Sequence, residues 1–235
     1  MGSKGSKSRT PSDLLETVDI TNTEVFGKQL SVVMERSETK SEYGDVPNIL
    51  FQCVRFLNQS GINEEGIHRI SGNKRIVNEL KQKFNEGKNV DFLYFIESGK
   101  EFYSVHDVAS LMTDFWHEAP LPKWSDRIND DISLRSFGLY YSKNKPDESN
   151  MSDEEKKQTK TDLLIKFIKT TLNDPEFPPY YRNCLQCISH HMMLVCRNSE
   201  VNKMHPDNLL MCFRGQKHLQ DLYRELIQHY EAIFN

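Results

Sequence analysis

The segment Gly66-Ile67-His68-Arg69-Ile70-Ser71-Gly72 lies between two amphipathic patterns and shares the periodicity of neither. Upstream, Pro47 opens a stretch in which Ile49, Leu50, Cys53, Val54, Phe56 and Leu57 recur at helical spacing, and Gly61 closes it. Downstream, Ile76, Val77, Leu80 and Phe84 repeat that spacing until Gly87, with Ser71 as the expected N-cap. Two buried helices therefore bracket a segment without an apolar stripe of its own, which places Glu65 to Gly72 on the surface. Glycines at both ends permit tight or left-handed turns, and a single arginine, Arg69, stands midway between them. A guanidinium held outward on a stiff loop is suited to meeting charge on a partner's phosphates.

The helical period persists along the rest of the chain. Leu30, Val33 and Met34 mark a short helix within Val25 to Arg36, and a polar linker broken by Gly44 runs from Ser37 to Asp45. Ser104 and Asp107 form a variant capping box ahead of Val105, Val108, Leu111, Met112, Phe115 and Trp116, a stripe halted before Pro120 and Pro122. Residues 142–161 are charged and polar, with Met151 the lone large apolar residue, and read as a surface insertion with a frayed helix around Asp153 to Gln158. Leu163, Leu164, Phe167, Ile168 and Leu172 begin the second half, followed by Leu185, Ile188, Met192 and Val195 behind Pro178-Pro179. Leu209 to Phe213 follow Pro206, and Leu222, Leu226, Tyr230 and Ile233 close the chain. No strand alternation persists and no repeat is visible. The expected architecture is all-α, a single-domain helical bundle over residues 21–235 behind a flexible tail at 1–20.

Met1 to Pro11 are almost all Gly, Ser, Lys, Arg and Thr, either a plain tail or expression scar, or an N-myristoylation site with Gly2 as acceptor. A net charge of -4 gives no basic footprint, which argues against nucleic acid as the main partner. No apolar run approaches a membrane span. Five cysteines, an odd number lying mostly in apolar stretches, point to reduced thiols in a cytosolic protein. Cys184, Cys187 and His191 would share one helical face, but no fourth ligand is evident, so core packing outweighs zinc and no metal site is assigned. Neither a P-loop, a Ser-His-Asp arrangement nor a paired-glycine fingerprint is present, so no cofactor is expected in this chain.

The run G-I-H-R-I-S-G resembles the G-I-F/Y-R-x-S-G signature of Rho GTPase-activating (RhoGAP) domains. Two later landmarks fall in order. Val108 to Pro122 is similar to V-A-x-L-L-K-x-F/Y-L-R-E-L-P-x-P, with Thr113 and His117 at the family's two basic positions. Asn202 to Phe213 is similar to N-K-M-x-x-x-N-L-A-x-V-F, with Asn208 at the second asparagine. After it, Arg214-Gly215 replaces the family's usual Gly-Pro.

The resemblance implies a helical domain that binds the GTP-loaded form of a Rho-family small GTPase and speeds hydrolysis without an active site of its own. Arg69 would be the finger supplied in trans, and GTP and Mg²⁺ would be carried by the partner. Asn208, Thr113 and His117 would lie in the GTPase-binding surface. A monomer in the cytoplasm is expected, recruited to membranes with its partner, with any membrane contact indirect or through the tail. Threonine and mostly neutral histidine at the basic positions keep open a second reading, a catalytically weak or inactive GTPase-binding module of the same fold. A helical scaffold for an unrelated protein or lipid is a third.

Overall fold

Helix follows helix along the chain because the apolar residues recur at a period that only a helix can turn toward one core. The computed structural model describes residues 24–88, 90–94, 103–119, 134–213 and 220–235. The tail at 1–20, the prolines at 120 and 122 and the pair at 214–215 lie outside the described residues.

Helix α1 is Leu30–Ser37, five residues shorter at its start than the Val25 pattern implies. Gly27 adopts φ +69°, and the amides of Val25 and Phe26 donate instead to the Asn85 side chain at 2.8 and 3.1 Å. The expected linker is a hairpin of β1 (Glu38–Ser41) and β2 (Gly44–Pro47), antiparallel with Ser41 opposite Gly44. Ser41 Oγ donates to the Gly44 carbonyl at 2.7 Å and accepts from the Tyr43 amide at 3.1 Å, while Gly44 takes φ +94°. Short polar strands carry little alternation, which hid the hairpin; Tyr43, Val46 and Pro47 are the residues it buries.

Helix α2 (Asn48–Ser60) ends at Gly61, whose amide donates to the Leu57 carbonyl at 2.8 Å. Helix α3 (Lys74–Asn85) is capped by Asn73 and not by Ser71: the Asn73 side chain accepts from the Arg75 amide at 3.0 Å. Helix α4 (Val105–Glu118) carries the full capping box of Ser104 and Asp107. The Asp107 carboxylate accepts from the Ser104 amide at 2.9 Å and from the Asn73 amide at 2.7 Å, so one buried acid serves the N-termini of both α3 and α4.

Helix α5 is Leu134–Asn144 and α6 is Asp153–Leu172. A second capping box, Ser152 with Glu155, and three acids in the first turn make Asp153 a firm start. Much of the expected insertion is therefore ordered helix continuous with the Leu163 to Leu172 stripe, not a frayed turn. Helices α7 (Pro179–Arg197), α8 (Ser199–Asn202), α9 (Pro206–Cys212), α10 (Gln220–Gln228) and α11 (Tyr230–Phe234) complete the chain. Among the described residues no helix is long and apolar enough to cross a membrane.

Helix α2 packs against both α4 and α7, with α3 on α4 and α10 on α7. Trp116 of α4 stacks on Tyr181 of α7 with ring centroids 6.0 Å apart, and its Nε1 donates to the Tyr223 hydroxyl of α10 at 2.7 Å. The hydrogen bond satisfies both polar tips where burial would otherwise make them costly.

Asp107→Ala removes a cap and strands the Asn73 amide, so it should lower the unfolding free energy by about 2–3 kcal/mol in a urea titration. Glu155→Ala, at an exposed cap, should cost no more than about 1 kcal/mol.

Candidate functional site

The arginine loop is wound by its own backbone. Arg69 and Ile70 amides both donate to the Gly66 carbonyl, at 2.8 and 2.9 Å, and the Ile67 amide donates to Glu64 at 3.2 Å. Two left-handed residues, Gly66 at φ +72° and His68 at φ +66°, make this winding possible. Glycine adopts that region freely, whereas for histidine it is a strained conformation that the surroundings must hold.

Hydrogen bonds pin the loop at both ends. At its start the Gly66 amide donates to the Asn202 carbonyl at 2.8 Å. Asn202 is fully buried: its Nδ2 donates to the carbonyls of Ile62 (2.7 Å) and Val195 (2.8 Å), and its Oδ1 accepts from the Met204 amide (2.8 Å). At its end the Gly72 amide donates to Ser110 Oγ at 2.9 Å, and a Cβ at Gly72 would stand 2.6 Å from the Asp107 Cα. Backbone cannot retreat as a side chain does, so only glycine fits there. Ile67 is buried beneath the loop, while Arg69, Ile70 and Ser71 are exposed.

Arg69 makes no ion pair and no side-chain hydrogen bond among the described residues. Its guanidinium lies back over the loop, with Nη2 3.2 Å from where a Cβ on Gly66 would be. Glu64, which could have neutralised it, faces His106 at 3.5 Å instead.

A chain of polar side chains runs under the loop. His68 is half-buried as a residue, and its imidazole is enclosed. Its Nε2 lies 2.8 Å from Nε2 of the buried His191, whose Nδ1 is 2.6 Å from Asn58 Oδ1. Its Nδ1 is 3.3 Å from Thr113 Oγ1, which also lies 2.9 Å from the Ala109 carbonyl. Burial drives the His68 pKa down to about 3, against the Ala109 carbonyl, which favours the protonated ring; His106 lowers it further. Burial likewise pushes His191 well below the ordinary histidine value, with His68 and His190 adding to the effect. Both rings are neutral near pH 7.

Phe213, just beyond α9, gathers the other candidates. Its ring centroid is 5.2 Å from that of His68 and 6.4 Å from that of His117. Thr113 is half-buried with its hydroxyl turned inward, as above. His117 is half-buried, and burial lowers its pKa against the opposing pull of Asp114 and the Phe213 backbone. It carries no charge near pH 7. Asn208 is exposed in the first turn of α9, with the exposed Met211 one turn on. Arg69, Thr113, His117 and Asn208 thus sit on three elements joined through Asn202 and Phe213.

Cys184 and Cys187 are buried, and burial raises both thiols above their ordinary value. His191 has both nitrogens engaged, and among the described residues no group of three His, Cys, Asp or Glu side chains is placed to hold a metal ion.

The model of the RhoGAP domain matches residues 47–216, a span that includes the arginine loop, α4 and α9. The chain belongs to the RhoGAP family. Rho GTPase-activating protein gacFF of Dictyostelium discoideum is 25% identical over 213 residues, covering 89% of this chain and 21% of that protein. Rho GTPase-activating protein 190 of Drosophila melanogaster is 29% identical over 175 residues, covering 74% of this chain and 10% of that protein. The RhoGAP domain described here therefore spans about a fifth or less of these relatives. The solved structure of human Rho GTPase activating protein 15 superimposes with a TM-score of 0.67 at 18% identity, covering 97% of this chain and all of that one, and so shares its fold.

Within the RhoGAP domain, the sequence showed Asp107 only as a cap of α4, not as the acceptor for the Asn73 amide, and gave no role to Asn202 or His68. Asn202 lay inside a quoted motif, but an asparagine that bonds backbone from three places looks in sequence like any other. His68 did carry a signal: it stands where the signature has Phe or Tyr, and it touches Thr113, the residue that stands where the signature has Lys.

A histidine held neutral below its usual value costs nothing above that value. As pH falls below 6.5 the unfolded chain takes a proton that the folded His68 refuses until about 3. Stability should therefore be full above pH 6.5 and drop by about 1.4 kcal/mol per pH unit for each such ring as the medium is acidified. Urea titrations between pH 7.5 and about 4.5 would read this, and His68→Phe should reduce the slope by one ring's share. An equal slope in both proteins would show that His68 is not held neutral.

Proposed function

We propose that this RhoGAP domain binds the GTP-loaded form of a Rho-family small GTPase and accelerates hydrolysis, with Arg69 entering the partner's site in trans. The observation that carries the reading is the arginine loop itself: an exposed guanidinium without an ion pair among the described residues, on backbone anchored at both ends by hydrogen bonds. Ordering the loop in advance lowers the entropy lost when the partner docks.

On this reading GTP, Mg²⁺ and the attacking water belong to the partner. The domain's part is to close over the phosphates, exclude solvent and present a cation where negative charge develops on the transferring phosphoryl group. A finger of this kind is worth about 10³–10⁵ in rate, or roughly 4–7 kcal/mol. Asn208 offers two donors and an acceptor to the partner's backbone, and the exposed Ile70 and Met211 supply apolar contact beside it. Thr113 and His117 bring no charge to the surface; their loss should weaken docking or loosen the loop, not remove catalysis.

Arg69→Ala should reduce stimulated single-turnover hydrolysis by about 10³-fold or more while weakening binding to the GTP-loaded partner far less. Arg69→Lys should also be poor, because an ammonium cannot reproduce the planar fork. Stimulation undiminished in Arg69→Ala would remove the finger. A wild-type domain that binds but stimulates no Rho-family GTPase would make this the inactive module.

Asn208→Ala should weaken association by about 1–2 kcal/mol, measured by titration calorimetry, with an unchanged melting temperature. A marked fall in melting temperature would make Asn208 a structural residue instead.

A further inference from the structure

Two positions of this chain depart from the family signature in a way that makes them fit each other. A lysine at position 113 would set a cation beside the imidazole of His68; threonine offers that ring a neutral hydroxyl 3.3 Å away. The Thr113 hydroxyl is itself held by the Ala109 carbonyl, to which it donates at 2.9 Å. His68 and His191 meet through their Nε2 atoms at 2.8 Å, one ring donating to the other, and His191 Nδ1 lies 2.6 Å from Asn58 Oδ1. A polar series, Thr113 to His68 to His191 to Asn58, thus runs from α4 under the loop to α7 and α2.

His68 needs such restraint. Its φ of +66° is disfavoured for a residue with a Cβ, and it immediately precedes Arg69. The Phe213 ring closes the remaining side of the imidazole at 5.2 Å.

We propose that His68 and Thr113 are positioning residues for Arg69: the polar series holds His68 in its left-handed turn and so fixes the direction in which the next side chain leaves the loop. The inference rests on Arg69 being the finger. It also makes a claim about the loop that stands without any partner, namely that the Thr113 hydroxyl orders the Arg69 and Ile70 backbone.

The test pairs stimulated hydrolysis, using a GTP-loaded Rho-family GTPase, with amide hydrogen exchange of the free domain. Thr113→Val keeps the volume and deletes the hydroxyl that His68 meets. It should lower kcat about tenfold with KM changed less than about twofold, and quicken exchange at the Arg69 and Ile70 amides by a similar factor. Thr113→Ser should restore both, which separates loss of the hydroxyl from general unfolding. His68→Phe should also lower kcat, and the double variant His68→Phe/Thr113→Val should be no worse than the worse single one, since both break the same series. Additive losses, or a rise in KM alone, would overturn the proposal, the second because it would make Thr113 a partner contact. Should the wild type stimulate no GTPase, the finger reading fails on its own. The exchange data still decide the anchoring, and equal rates in wild type and Thr113→Val overturn it.

Discussion

The buried amide of Asn202 holds three stretches of chain at one point. Its side chain bonds the Ile62 carbonyl after α2, the Val195 carbonyl in α7 and the Met204 amide before α9, while its own carbonyl receives the Gly66 amide. Each of these groups would be costly to bury unpaired. The arrangement therefore fixes where α9, with Asn208, lies relative to the loop that carries Arg69. Lys203 turns left-handed directly afterwards, at φ +60°, which lets the chain leave the buried amide and reach Pro206.

Around that point the molecule divides its work between apolar and polar interactions. The core joins α2, α4 and α7 through large fully buried side chains such as Phe56, Phe115 and Tyr181, and sets the positions of the helices. Packing alone leaves a loop free to choose among conformations of similar burial. The directed bonds from Ser110, Asp107, Asn202 and the His68–His191 pair select one of them. The same burial keeps both imidazoles neutral, so the loop is held without placing a second cation beneath Arg69. Charge at the exposed end is left to Arg69 itself. That separation suits the finger role proposed for Arg69.

Much of this was legible in the chain because helices announce themselves by period. The stripes through Leu50, Leu80, Leu111 and Ile188 all correspond to buried faces, and the capping box at Ser104 is present with both bonds. The arginine loop could be read from its glycines and from the stripes that stop on either side. What remained hidden depends on long-range pairing. Asn73 takes the cap expected of Ser71 because Asp107, distant in sequence, draws its amide into position. The hairpin at Glu38–Pro47 is too short for alternation to rise above a polar linker. Thr113 read as a surface position because helical spacing cannot tell which way a half-buried hydroxyl turns, and only the position of His68 decides it. Family membership follows from the match over residues 47–216, whereas the roles proposed for Arg69, Asn208, Thr113 and His117 come from the resemblance.

On the proposed function, Arg69 acts on the transition state of a partner's reaction and not merely on recognition. Complex formation with a GDP-bound Rho-family GTPase in the presence of aluminium fluoride, a planar mimic of the transferring phosphoryl group, tests it most directly. The wild-type domain should associate stably only when aluminium fluoride is added, and Arg69→Ala should lose that dependence along with most of the affinity. Association of equal strength with and without aluminium fluoride, or an Arg69→Ala variant that binds the mimic complex as tightly as the wild type, would contradict the account.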